Sequence, residues 1–291
     1  MPSFEMIKYH KKEYPFDIPI NTEEIALNFD TKFISPKLEY SLHTEYSYAK
    51  RIYNNPFILK YDTIITANKS GIPLLWYNTQ WAKEFAMFII ECTKSFKAPK
   101  YIEIHPPYSD YIKDMDMFVD IYSIFEECIL SIYPKTQILI ENRCGSLYRG
   151  GKFIFSKARS FYSLAELIDK KNLNLRITFD VPQLYTAHNI KMKNSNLMFE
   201  FLTEFIDLRK YINGLHLWGK RINDKGRRIA HIGDLNSYFY DNINLKNEFL
   251  KSLYSLFDDN KVRNMVLEVN SSNDDLNSIV KDLLNYNFKF I

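Results

Sequence analysis

Five short apolar runs in this chain each end on or beside a residue that can ligate or ionise, and they recur at a near-constant interval. The runs are YIEIH (101–105), QILIE (137–141), LRITFD (175–180), GLHLW (214–218) and NMVLEV (264–269). Each is rich in β-branched or aromatic residues and too short for a helix, so each predicts a buried strand. The marked residues are His105, Glu141, Asp180, His216 and Glu268, at intervals of 36, 39, 36 and 52 residues. An interval of that size holds one strand and one covering helix; the last one carries an insertion.

The segments between the runs have the period of amphipathic helices. They are 79–96, 111–133, 197–212 and 245–257. Two helix starts carry capping-box chemistry, Ser163 with Glu166 and Ser272 with Asp275. Strands alternating with helices imply a parallel sheet covered by helices. The expected fold is an α/β (β/α)8 TIM barrel. The 291 residues match one such barrel, which takes about 250. No linker or composition break interrupts the chain, so residues 1–291 are expected to form one domain. DTIITAN (62–68) reads as a further strand, EEIALNF (23–29) as another, and Tyr46 to Asn54 as a helix. The first two strands, within 1–60, are not firmly placed.

Charge excludes little. Net charge is +3, too weak to announce a nucleic-acid binder. Cys92, Cys128 and Cys144 are not in metal-finger spacing, which suggests a reducing, cytoplasmic setting. No basic-then-apolar leader opens the chain, and no apolar run approaches the roughly 20 residues that cross a bilayer. No membrane association is expected. The oligomeric state is left open.

In a barrel of this class, side chains at the C-terminal strand ends converge on one mouth. A lone acid at a strand end is more often a cap or a salt-bridge partner. Several acids inside apolar runs are costly unless paired or metal-bound. Glu141, Asp180, His216 and Glu268 are therefore expected to share a divalent metal. Three carboxylates and one imidazole suit Mn2+ first, with Mg2+, Zn2+, Co2+ or Fe2+ compatible. His105 is expected in a second layer of groups around the ligands or as a substrate contact. Six of the eight glycines lie in two loops, Gly145, Gly150 and Gly151 in one, and Gly219, Gly226 and Gly233 in the other. These loops are basic: Arg143, Arg149 and Lys152 in the first, and Lys220, Arg221, Lys225, Arg227 and Arg228 against Asp224 alone in the second. They read either as solvated surface or as a clamp for phosphate or another anion above the metal.

The motifs IENRCGS, FDVPQLYTAHN, LHLWGKR followed by HIGDL, and VLEVNSS resemble the xylose isomerase-like TIM barrel superfamily. That group includes sugar isomerases and epimerases and the endonuclease IV branch, AP endonuclease family 2. The resemblance spans roughly residues 100–275. It implies that Glu141, Asp180, His216 and Glu268 bind the metal, with Glu141 and Glu268 exchanging a substrate proton as the catalytic pair. For the endonuclease branch, His105 matches one further ligand. Gln183 stands where a histidine is needed, and Arg227 and Ile229 stand where an aspartate and a histidine are needed. The histidine implied on the third strand is absent from ITAN. A three-metal site is therefore not expected.

Gln183, Trp218, Lys220, Arg221 and His231 complete the expected substrate-binding set with His105. His188 reads as structural, and His10 and His43 receive no role. The resulting expectation is a metal-dependent isomerase or epimerase of a sugar, sugar phosphate or polyol. Its expected partner is a small molecule, and the basic loops would suit a phosphorylated or acidic one. The alternatives are an endonuclease IV-like phosphodiesterase acting on nucleic acid, and a barrel without catalysis that binds a ligand or partner.

Overall fold

Eight parallel strands close into a ring: β1 (Ser3–Lys8), β2 (Ile20–Leu27), β3 (Glu39–Thr44), β4 (Tyr101–Ile104), β5 (Gln137–Glu141), β6 (Arg176–Asp180), β7 (Ile212–Leu217) and β8 (Val262–Leu267). Each pairs with the next, and β8 returns to β1, with Ser3 opposite Val262 and Ile7 opposite Val266. The closed ring leaves no open edge and is the expected TIM barrel. The computed structural model describes residues 1–146, 151–190 and 195–291, with backbone alone for 195–198. Arg149 and Gly150 of the first basic loop lie outside the described residues.

Side chains alternate across each strand, and the two faces differ in chemistry. Ile102, Ile104, Ile138, Ile140, Ile177 and Phe179 point outward into the core shared with the helices. The inward positions of the same strands include Glu103, Glu141, Thr178 and Asp180, all buried. The barrel interior is therefore polar toward its mouth. Its apolar contribution includes Ile7, Tyr9 and Val266.

The covering helices are α1 (Thr79–Thr93), α2 (Met115–Ile132), α3 (Ala158–Lys170), α4 (Val181–Ala187), α5 (Ser195–Thr203), α6 (Ile243–Phe257) and α7 (Asn273–Asn285). Trp81, Phe85 and Phe88 of α1 and Phe118, Tyr122 and Phe125 of α2 are buried at helical spacing. Trp76 lies among them, edge-on to Phe85, Phe118 and Phe125, and donates its indole N–H to the His105 carbonyl at 2.7 Å. The aromatic core thus holds the end of β4 directly.

Several local expectations are corrected. Asp62–Thr66 is a short helix, not a strand. The Glu84 carboxylate of α1 accepts the Thr63 hydroxyl and the Ile64 N–H, a tertiary cap that overrides the β preference of the Thr and Ile residues. A tight hairpin follows, turning at Ser70 and Gly71, both at positive φ. The third strand is Glu39–Thr44 instead, so it ends on His43. No helix forms over Tyr46 to Asn54. The buried Glu45 carboxylate accepts the N–H groups of Tyr46 and Ser47 and pairs with Arg51, and these contacts satisfy the backbone without a helical turn. Ser163 lies inside α3, which starts earlier, at Ala158. Ser272 does cap α7. The expected helix over 197–212 ends at Thr203, and a 3-10 turn, Ile206–Tyr211, follows.

Candidate metal centre

Four consecutive strand ends deliver Glu141, Asp180, His216 and Glu268 to one point, as expected. One ligand atom from each lies within 4.8 Å of every other. Glu141, Asp180 and His216 are fully buried and Glu268 is 7% exposed. A second group adjoins the first: His43, Glu103, His105 and Glu141, with the same spacing limit. Glu141 belongs to both. A third group, Glu24, Glu103 and His216, meets the same limit one layer deeper in the barrel.

Local structure explains how each group is held. Asp180 caps α4, its Oδ1 accepting the Gln183 N–H at 2.8 Å. Its Oδ2 accepts the Trp218 indole N–H at 2.8 Å. Asn142 ties the ends of β5 and β6 by two bonds to the Asp180 backbone. Gln183 donates to Glu141 Oε1 at 2.6 Å and accepts the Cys144 N–H at 2.7 Å. Arg143 donates to both Glu141 oxygens. His105 is held between two acceptors, its Nδ1 3.2 Å from the Glu45 carbonyl and its Nε2 2.8 Å from Glu141 Oε2. His43 Nε2 is 3.9 Å from the same oxygen, and its ring sits 4.6 Å from that of His105.

The mouth is walled by His231, whose ring stacks on Trp218 at 4.2 Å. Its Nδ1 lies 3.1 Å from the Glu268 carbonyl. Lys220 lies over Trp218 and bonds Thr186. A hairpin, Lys220–Ile222 with Arg228–Ala230, rises here. Its base needs glycine at Gly219, where a Cβ would sit 2.3 Å from the Gly233 carbonyl. Arg221 is turned aside to Asp275 of α7, at 2.6 Å. Of the expected substrate-binding set, His105, Gln183, Trp218 and His231 touch the cluster; Lys220 reaches it through Trp218, and Arg221 points elsewhere.

Burial sets the electrostatics. Burial, with Glu141 beside it, pushes Asp180 up to about 7. Burial also holds Glu268 well above the usual carboxylate range. Glu141 behaves oppositely: burial opposes its charge, but Arg143 and His105 outweigh that and hold it well below the usual range. Burial disfavours charge on His216 too, yet Glu103 and Glu268 raise it well above an ordinary imidazole. Burial, aided by His105, pulls His43 down to about 3. Both His216 ring nitrogens and Glu103 Oε1 are buried without a hydrogen-bond partner among the described residues. Unpaired buried groups of this kind are costly, and a divalent cation on the Asp180–Glu268 side would satisfy His216 Nδ1. The residues therefore fit a metal.

Sequence reasoning picks out five of these residues, Glu141, Asp180, His216, Glu268 and His105, and misses His43, Glu103 and Glu24. His43 was hidden because the third strand was sought in DTIITAN. Glu103 stands two residues before His105 on the same strand face, a signal present in YIEIH. Gln183 bonds Glu141, and His43 on the third strand supplies a histidine that the sequence reading did not find in ITAN.

No protein-family model matches the chain, and no curated protein matches it in sequence. Solved structures do match. The structure described as AsfvAP:AG superposes with a TM-score of 0.54 at 9% identity, covering 98% of this chain and 97% of that one. A xylose isomerase domain protein from Planctomyces limnophilus gives 0.43 at 13%, over 95% and 98%. D-psicose 3-epimerase with D-tagatose, from Clostridium cellulolyticum H10, gives 0.39 at 12%, over 97% and 95%. The likeness to the first of these shows the fold, a TIM barrel.

Proposed function

We propose that this chain is a metal-dependent phosphodiesterase that cleaves a nucleic-acid backbone with a two-metal centre. One observation carries the reading: Glu141 belongs at once to the Asp180–His216–Glu268 group and to the His43–His105 group. A carboxylate shared by two adjacent ligand sets is the arrangement that lets two ions face one phosphate. The fold alone does not choose the chemistry. Three histidines among the donors favour Zn2+ or Mn2+ over Mg2+.

Divalent ions held there would polarise a phosphoryl oxygen and make a water acidic near neutral pH. The protein's own groups do the positioning. Gln183 and Arg143 orient Glu141 from one side, His105 from the other, and Trp218 holds Asp180. A cleft whose charged groups are mainly cations suits a polyanion. Lys113, Lys152, Lys157 and Arg159 line a cleft of about 520 Å3 beside Gly145. Among the described residues none of the four is in an ion pair.

The test is nicking of a duplex carrying an abasic site, with Zn2+ or Mn2+ added. We expect strand cleavage that is abolished by chelation, by Glu268→Gln and by His43→Ala. A protein that binds both ions and leaves abasic, mismatched and intact duplexes uncut would overturn the reading.

A second reading is a metal-dependent sugar or sugar-phosphate isomerase or epimerase. It is favoured by Glu141 and Glu268, two glutamates brought to one metal-competent group with Asp180 and His216, which suits proton exchange at a carbon. Isomerisation in a sugar screen that needs His216 and is indifferent to His43 would select it.

A further inference from the structure

Glu103 belongs to no sequence motif, yet it faces one imidazole of each ligand set. It is 4% exposed. Its Oε2 lies 3.2 Å from His216 Nε2 and its Oε1 lies 3.5 Å from His43 Nε2. Oε2 also accepts the Thr178 hydroxyl at 2.7 Å. That hydroxyl needs room: a Cβ on Gly214 would come within 2.8 Å of it. The carboxylate is thus held from the barrel interior, below the mouth.

The orientation of His216 gives this contact its meaning. Its Nδ1 faces Glu268 Oε1 at 3.5 Å, toward the Glu141–Asp180–Glu268 group, and its Nε2 faces Glu103. A neutral imidazole carries a single ring proton. If the proton sits on Nδ1, the nitrogen facing the ligand set cannot bind a cation. A carboxylate at the far nitrogen keeps the proton there, orients the ring and raises the basicity of the near nitrogen. Asn142, Gln183 and Trp218 already serve Asp180 and Glu141; among the described residues, the acceptor facing His216 Nε2 is Glu103.

We propose that Glu103 is a positioning residue of the metal centre, holding His216 with its proton on Nε2 and its Nδ1 lone pair turned to the Asp180–Glu268 side. This rests on the reading that the mouth binds divalent metal. Glu103 acts through His216 and need not touch substrate.

The experiment compares the full chain with Glu103→Gln and Glu103→Ala. Zn2+ and Co2+ binding is measured by calorimetry and by the Co2+ visible spectrum. The protonated nitrogen of His216 is read by 15N NMR of the Zn2+-loaded protein, and circular dichroism checks the fold. Glutamine keeps an acceptor oxygen and alanine does not. We expect Glu103→Ala to weaken one metal equivalent by about 10- to 100-fold, to alter the Co2+ spectrum and to disturb the Nε2–H signal of His216. Glu103→Gln should restore most of the affinity and the Nε2–H signal. Folded Glu103→Ala with both equivalents and the His216 signal unchanged overturns the proposal while the metal reading stands. Equal loss in both variants, with a spectrum showing one donor fewer, makes Glu103 a direct ligand and also overturns it. If the unmodified protein takes up no metal, the metal reading fails first and this inference with it.

Discussion

Trp218 donates its indole N–H to Asp180 Oδ2 at 2.8 Å, so a residue expected from sequence to bind substrate is the hydrogen-bond partner of a candidate metal ligand. Trp218→Phe keeps the ring that stacks on His231 and removes only the donor. The expected result is a folded protein whose metal affinity drops by about 10- to 100-fold. Calorimetric titration with Zn2+, at unchanged circular dichroism, checks it.

The two ligand sets can be counted separately. His43 contributes to the group with His105 and not to the group with Asp180 and Glu268. His43→Ala should lower bound Zn2+ from two equivalents to one, while His216→Ala should spare the His105 side. Elemental analysis after dialysis reads the count. Two equivalents in His43→Ala would remove His43 from the centre.

The metal-free protein should lose stability as the pH rises above neutrality. A carboxyl raised on folding keeps its proton longer in the folded state, so stability falls as pH climbs through the folded value. Asp180, raised to about 7 by burial, and Glu24, raised to about 8 by burial and Glu103, have that sense. Glu268 and His216, both raised, share it. His43 and His231, lowered by burial to about 3 and about 4, act oppositely. They favour the fold above 6.5, their ordinary value, and lose that contribution only as the pH falls below it. Between pH 6.5 and 8.5 the carboxyls and His216 therefore dominate. Thermal melts without metal should show Tm falling across that window, and saturating Zn2+ should flatten or reverse the slope. A metal-free Tm that rises across the window contradicts the assigned environment of Asp180 and Glu24.

Gly219→Ala tests the hairpin base. The added Cβ meets backbone, the Gly233 carbonyl at 2.3 Å, so one strand entry must shift. Overpacking of this kind costs about 1–3 kcal/mol. Urea unfolding reads the loss. Because Trp218 and His231 flank the shifted segment, metal affinity should fall as well.

Much of the barrel was legible because its later strands are buried on both sides and end abruptly on acids or histidines. Glu141, Asp180, His216 and Glu268 stand out against the isoleucines and leucines around them. The first third was harder for a physical reason. β2 reads INTEEIAL and β3 reads EYSLHT, mixing inward polar groups with half-exposed positions, so neither forms an apolar run. Meanwhile the Thr and Ile residues of DTIITAN mimic a strand that a tertiary cap from Glu84 converts to a helix. The misplaced strand concealed His43, and with it the second ligand set. Glu24 is recognisable only once the ring closes, since it meets Glu103 and His216 across the barrel and not along the chain.

The indole that the aromatic core presents to the His105 carbonyl has a practical consequence. The chain has three tryptophans. Trp76 bonds the carbonyl of one candidate ligand and Trp218 bonds the carboxylate of another. Two of the three fluorophores are thus wired to the centre from opposite sides of the barrel. Intrinsic emission becomes a label-free optical gauge of events at the mouth, and replacing Trp76 or Trp218 singly with Phe would tell which ligand set a given ion or substrate enters first.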